Sequence, residues 1–190
     1  MSRTIRAAVV TAAVMALGAV GAWAANWGDS FSITFTPAGD RGVIITSDTV
    51  ALSNLNLNST TYIDNLLVTS TGSIEAIEYT LAGGIAGGWN LSEDGQANGD
   101  NEAVLYGLFS STKPALVDFE SAGTGTDHLI HTGSAHQVGD VAGLYEGNEQ
   151  MDDLGLNAAR HLWMELKTPP TASIDEAQTI TVTITAEVNN

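Results

Sequence analysis

The run Asp94-Gly95-Gln96-Ala97-Asn98-Gly99 places oxygen-bearing side chains at its first, third and fifth positions and glycine at its sixth, as an EF-type calcium loop does. The twelfth position, where such a loop needs a bidentate glutamate, is Leu105, so the full motif fails. What remains is a looser oxygen-rich set, Glu93, Asp94, Asn98, Asp100 and Glu102, with the hard ligands that calcium prefers. Without an ion, the same residues make a solvated acidic hairpin loop. Glu149 with Asp152 and Asp153 is a second set of this kind. Nitrogen ligands are offered by His128, His131 and His136 beside Asp127, a chemistry suited to zinc or copper. Their spacing matches no established site, and on a strand His128 and His131 would point to opposite faces.

Tryptophan offers a different chemistry, the stacking of an aromatic face on a sugar ring. Trp89 lies between a glycine-rich corner and the acidic loop and is the glycan-binding candidate. Trp163 lies inside an apolar strand and reads as core; Trp27 stands near the start of the domain. Signals for catalysis are absent from the sequence. It contains no G-x-S-x-G elbow, no H-E-x-x-H and no cysteine. Ser134 near His136 in a glycine-rich loop does not make a triad, and no carboxylate is marked as desolvated in the way a glycosidase acid must be. The chain is expected not to be an enzyme, to require no cofactor, and to take calcium if it takes any.

Strands must carry these loops. Gln178 to Val188 alternates with period two: Ile180, Val182, Ile184, Ala186 and Val188 share one face, and Thr179, Thr181, Thr183, Thr185 and Glu187 the other. Burying Ile180, Val182 and Ile184 contributes roughly 1.5–3 kcal/mol each, which demands a second sheet to pack on. Leu162–Lys167 is a further strand, ended by Pro169-Pro170, which cannot donate to a ladder. Phe31–Phe35, Gly42–Thr46 and Tyr62–Ser70 also read as strands, the last forming a hairpin with Ile74–Leu81. Val50 and Leu52 followed by Leu55 and Leu57 suggest one strand with a bulge at Ser53-Asn54. Gly83-Gly84 and Gly87-Gly88 bracket a flexible corner, and Ala103–Phe109, apolar on both faces, reads as a central strand. Pro114–Phe119 suggests a short helical turn. Glu120–Ala159 holds three of the four histidines and is too long for a plain connection, so part of it is expected to pair as extra strands. The fold class is all-β, a single sandwich.

Arg3 and Arg6, an uncharged run to Ala22 and the Ala22-Trp23-Ala24 triplet have the order of a secretory signal peptide cut after Ala24. The organisation is therefore a leader over 1–24 and a β-sandwich domain over 25–190 with a glycine-rich insertion at about 120–159. Export to the cell surface or medium, with the periplasm as the alternative, is the expected localisation, and no membrane span is expected in the mature protein. The net charge of −16 excludes nucleic acid and anionic membranes as partners on sign alone. With no cysteine, no disulfide contributes, and the domain rests on its core or its neighbours.

Tyr62–Ser73, ending Asn65-Leu66-Leu67-Val68-Thr69-Ser70-Thr71-Gly72-Ser73, resembles the strand-and-turn of bacterial secreted immunoglobulin-like sandwich domains. Leu162–Pro169 and Gln178–Ile184 resemble a closing pattern that recurs in exported bacterial proteins. The layout, a leader followed by one acidic cysteine-free sandwich, is similar to that of TasA/camelysin-type biofilm-fibre subunits. The resemblance implies an immunoglobulin-like or jelly-roll-type sandwich and covers a minority of the chain. It brings no catalytic residues with it.

The function expected from these observations is that of a non-enzymatic secreted structural or cell-surface protein, a subunit of an extracellular fibre or surface layer. Copies would associate by strand addition, with Phe31–Phe35 and Gln178–Val188 either completing a neighbour's sheet or pairing at home. The alternative is a small calcium- or polysaccharide-binding module using Gly83–Glu102 and Glu120–Ala159.

Overall fold

A computed structural model describes residues 31–38, 43–46, 49–53, 55–71, 77–120, 128–132, 136–137, 145, 147, 149 and 154–188. The leader, Trp27, Asp127, Ser134 and the Asp152-Asp153 pair lie outside the described residues. The strands are β1 (Phe31–Ala38), β2 (Val43–Ile45), β3 (Thr49–Leu52), β4 (Thr60–Ser70), β5 (Ile77–Ala86) and β6 (Asn90–Leu91). They continue as β7 (Glu102–Phe109), β8 (Leu129–Ile130), β9 (His136–Gln137), β10 (Ala159–Lys167) and β11 (Gln178–Val188), with a five-residue helix α1 (Leu116–Glu120) after β7. Two packed sheets make an all-β sandwich: the first in the order β3-β1-β11-β5-β9, the second in the order β2-β4-β10-β7-β6, with β8 also on β7. Among the described residues no helix is long and apolar enough to cross a membrane.

The alternation of β11 is the organising feature. Ile180, Val182 and Ile184 are fully buried against Ile63, Leu66, Leu105, Met164 and Leu166 of the second sheet. The threonines of the opposite face are half-buried, and the side chains of Ala186 and Val188 lie outside the described set. β11 runs between β1, which it pairs in parallel, and β5, which it pairs antiparallel. The first and last strands of the domain thus pair with each other inside one chain, and neither forms an edge of its sheet. Pro37 falls beyond Thr34, the last β1 residue paired to β3, so its missing N–H interrupts no pairing on that side, while on the other it lies in register with Ile184 of β11.

Three sequence expectations are corrected. β4 and β5 are not a hairpin: β4 pairs β2 and β10, while β5 pairs β11 and β9 in the other sheet. Both strands have a dry face, and a crossing between sheets satisfies two dry faces as well as a hairpin does. The Val50–Leu57 stretch is not one bulged strand either. β3 ends at Leu52, and Leu55 and Leu57 pack on the core from a turn in which Asn58 adopts φ 51°. Gly83-Gly84 does not bracket a corner but lies within β5, opposite Val182 and Thr181. A Cβ at Gly83 would stand 2.9 Å from Ile130 Cγ2 and 3.1 Å from Leu91 Cδ1, so the close approach of β8 and β6 requires glycine. The corner itself is Gly87-Gly88, at φ 114° and 97°. Buried Gln178 pins it, donating from Nε2 to Gly87 O (2.9 Å) and accepting from Trp89 N at Oε1 (3.0 Å).

The expectation of extra strands in the glycine-rich insertion holds for β8 and β9. β8 pairs β7, Thr132 bridges Gly83, and β9 pairs Thr80 and Leu81, so this segment passes from the second sheet to the first. A true bulge occurs in β4, where Asp64 and Asn65 lie opposite the step from Leu162 to Met164. It keeps Ile63 and Leu66 both facing inward and both buried.

Candidate functional site

The second sheet is packed on both faces. Its outer face carries a separate apolar cluster of Val104, Tyr106, Leu108, Phe119, Leu129 and Trp163, with Tyr62 and Ala97 against it. The register explains why these side chains meet. Glu165 of β10 is directly opposite Tyr62 of β4 on one side and Tyr106 of β7 on the other, and directly paired residues share a face. Lys167, two residues on, shares that face. The segment after β7 closes over the row. Lys113 Nζ stands 4.2 Å from the Tyr62 ring centroid, Phe119 meets Tyr62 edge-on at 6.0 Å, and Trp163 Nε1 donates to Ser110 O (2.7 Å).

Glu165 has 0% of its surface exposed, and its Oε1 lies 3.7 Å from Lys167 Nζ. That ammonium also stands 5.3 Å from the Tyr106 ring centroid. Burial, then the charges of Glu165 and Asp118, push the Tyr62 phenol above its ordinary range. The sequence marks no carboxylate as desolvated, yet Glu165 is one. Its signal was the run Trp163-Met164-Glu165-Leu166-Lys167, whose odd positions share a face with Tyr62 and Tyr106 once the pairing is known.

Lys167 opens into a groove of about 370 Å³ at one end of this face. One wall is the turn Asn58-Ser59-Thr60, the floor is Lys167-Thr168, and the other wall is Gly95-Gln96-Ala97-Asn98. Both walls are tied down. Ser59 N donates to Thr168 Oγ1 (2.9 Å), Thr168 Oγ1 to Asn56 O (2.7 Å) and Asn58 N to Pro169 O (2.9 Å). Across the groove, Tyr106 Oη donates to Gly95 O (2.8 Å) and Asn98 Nδ2 to Gln96 Oε1 (2.8 Å). Asp94 closes the loop by accepting from Ser92 Oγ (2.8 Å) and Gln96 N (3.0 Å), bonds that hold its carboxyl below the usual range.

Four of the five residues of the calcium expectation are each engaged in a hydrogen bond of their own. Asp94 serves its own turn. Glu102 Oε2 accepts from Gly99 N (3.0 Å), and Asp100 Oδ2 accepts from Ser173 Oγ (2.6 Å) and Asn101 Nδ2 (3.0 Å). Asn98 spends its amide on Gln96, and Glu93 is exposed. Among the described residues no three histidine or carboxylate side chains converge on a metal-sized space. His128 is buried with Nδ1 at 3.3 Å from Phe119 O, and His131 Nδ1 is 3.1 Å from Thr132 O. Of His136 only the backbone is described. Glu149 is engaged by His161, through its backbone N (2.6 Å) and Nδ1 (2.9 Å).

Trp89 is not an exposed platform. It is 6% exposed and belongs to the core between the sheets, its Nε1 donating to Ile174 O (3.4 Å). The Gly87-Gly88 corner, at positive φ, turns it inward, which a loop-like sequence context did not announce. Trp163 is buried as expected. No protein-family model matches this sequence, and no curated protein matches it either.

Proposed function

We propose that this protein is an exported, non-enzymatic structural component of a cell-surface or extracellular assembly whose copies associate along sheet edges. The observation that supports this reading is the outer edge of β4. β2 covers only Val68–Ser70, so among the described residues the stretch 60–66 has no strand beside it on that side. Ile44, on the short edge strand β2, is 57% exposed. An open edge with an exposed β-branched residue next to it is a template for a further strand. Export rests on the leader-like first residues, and the fibre or surface-layer role on the resemblance of layout. β11 is paired on both sides over most of its length and β1 over Phe31–Thr34, so these strands serve as scaffold and the longer open edge of β4 carries the association.

Sizing and electron microscopy of the purified protein over a concentration series test this. Concentration-dependent oligomers or filaments are expected, and Ile44→Lys is expected to weaken association about tenfold, since lysine on an edge opposes strand addition. A monomer at every concentration would falsify the reading.

A further inference from the structure

We propose that the groove between the Asn58–Thr60 turn and the Gly95–Asn98 loop binds a short stretch of a neutral saccharide. This goes beyond the assembly reading and does not depend on it. The groove, about 370 Å³, falls within the size range of small-ligand sites. Its polar side chains are amides, hydroxyls and one ammonium, beside Gly95 and Ala97. Among the described residues its lining holds no carboxylate, the charged ligand that calcium sites favour, in a chain where 22 of 190 residues are acidic. Amide and hydroxyl groups both donate and accept, which is the pattern that sugar hydroxyls complement.

Charge selects among saccharides. Lys167 supplies a donor to the floor, but its charge is balanced at 3.7 Å by Glu165 behind it. The groove thus presents no net positive field, and the −16 of the whole chain repels polyanions. Preorganisation favours binding without rearrangement. Thr168 and Pro169 hold one wall and the Tyr106 hydroxyl holds the other, so little ordering cost is left for the ligand to offset.

The test is isothermal calorimetry and amide chemical-shift mapping of the purified protein. The probes are a linear dextrin, cellohexaose and chitohexaose, with polygalacturonate as the anionic comparator. At least one neutral oligosaccharide is expected to bind with a Kd in the micromolar to millimolar range, shifting the amides of Ser59, Gln96, Asn98 and Lys167. Asn98→Ala and Gln96→Ala, both at exposed loop positions, are each expected to weaken it about three- to tenfold. Affinity is expected to be insensitive to salt. Silence towards all three neutral probes overturns the proposal, as does binding that both variants leave intact. Tighter, salt-sensitive binding of polygalacturonate overturns the neutral class. Ile44→Lys, which reports on assembly, leaves this binding unchanged, so the two readings fail separately.

Discussion

The two faces of the second sheet are made by the same strands but of different material. The inner face of β7 and β10 gives Leu105, Phe109, Leu162, Met164 and Leu166 to a core that meets Ile33, Ile180, Val182 and Ile184 across the sandwich. The outer face of the same strands gives Tyr106, Trp163, Glu165 and Lys167 to a cluster roofed by one loop and α1. The inner face is dry because a whole sheet covers it. The outer face is dry only where a loop reaches, so it can hold a carboxylate, an ammonium and phenols close to water. Stability concentrates on the first face, and the groups able to recognise a ligand on the second.

The largest expected effect lies inside. Ile184→Ala leaves a cavity between two sheets that cannot easily collapse around it, at a cost of about 4 kcal/mol, read as a lower urea midpoint. Outside, the cost is electrostatic. Lys167→Met removes the cation 3.7 Å from buried Glu165 and is expected to cost about 3 kcal/mol, the low end for a broken buried pair, because the lysine side chain keeps 24% exposure. Adding Glu165→Gln restores most of that loss, whereas no second change of charge rescues Ile184→Ala. If the double variant were as unstable as Lys167→Met alone, the outer face would be held by packing and the contrast would fail. Trp163→Phe is smaller again, about 1–2 kcal/mol, from the lost bond to Ser110 O, and thermal melting checks it.

The inner face was legible in the sequence and the outer face was not, for a physical reason. β11 shows its full length and its dry face because one side of every threonine–aliphatic pair must be buried. β7 also betrays itself: Val104, Tyr106 and Leu108 alternate with Ala103, Leu105 and Phe109, all buried, which already implies cover on both sides. What periodicity cannot give is the identity of the cover. The groove draws on three segments far apart in the chain, each an ordinary polar turn by itself. In the acidic loop, sequence proximity places carboxylates near one another without saying where they aim, and in the structure Asp94, Glu102 and Asp100 each accept from local N–H or O–H donors. Trp89 and the β4–β5 connection misled, since a glycine pair or a turn signal does not say which sheet the chain enters next.

Tyrosine ionisation gives the finest separation of the two faces. Tyr79 and Tyr145 are fully buried in the inner core, and burial raises both phenols above the ordinary value of 10.0. Tyr62, on the outer face, is raised by burial and by the Glu165 charge. Above pH 10 an unfolded chain ionises these phenols, while the folded chain keeps the Tyr145 proton and holds those of Tyr79 and Tyr62 more tightly than the unfolded chain does. The unfolded state then binds fewer protons, so stability is intact below about 10 and falls as pH rises beyond it, by about 1 kcal/mol for the deeply buried Tyr145 phenol half a unit above that value. Urea midpoints taken from neutral to alkaline pH should trace this fall, and Tyr145→Phe should flatten it. Glu165→Gln should bring the Tyr62 phenol back towards its ordinary value, followed by phenolate absorbance, and leave Tyr79 and Tyr145 where they are. A Glu165→Gln variant in which all three move together, or none does, would mean that the two faces share one electrostatic environment.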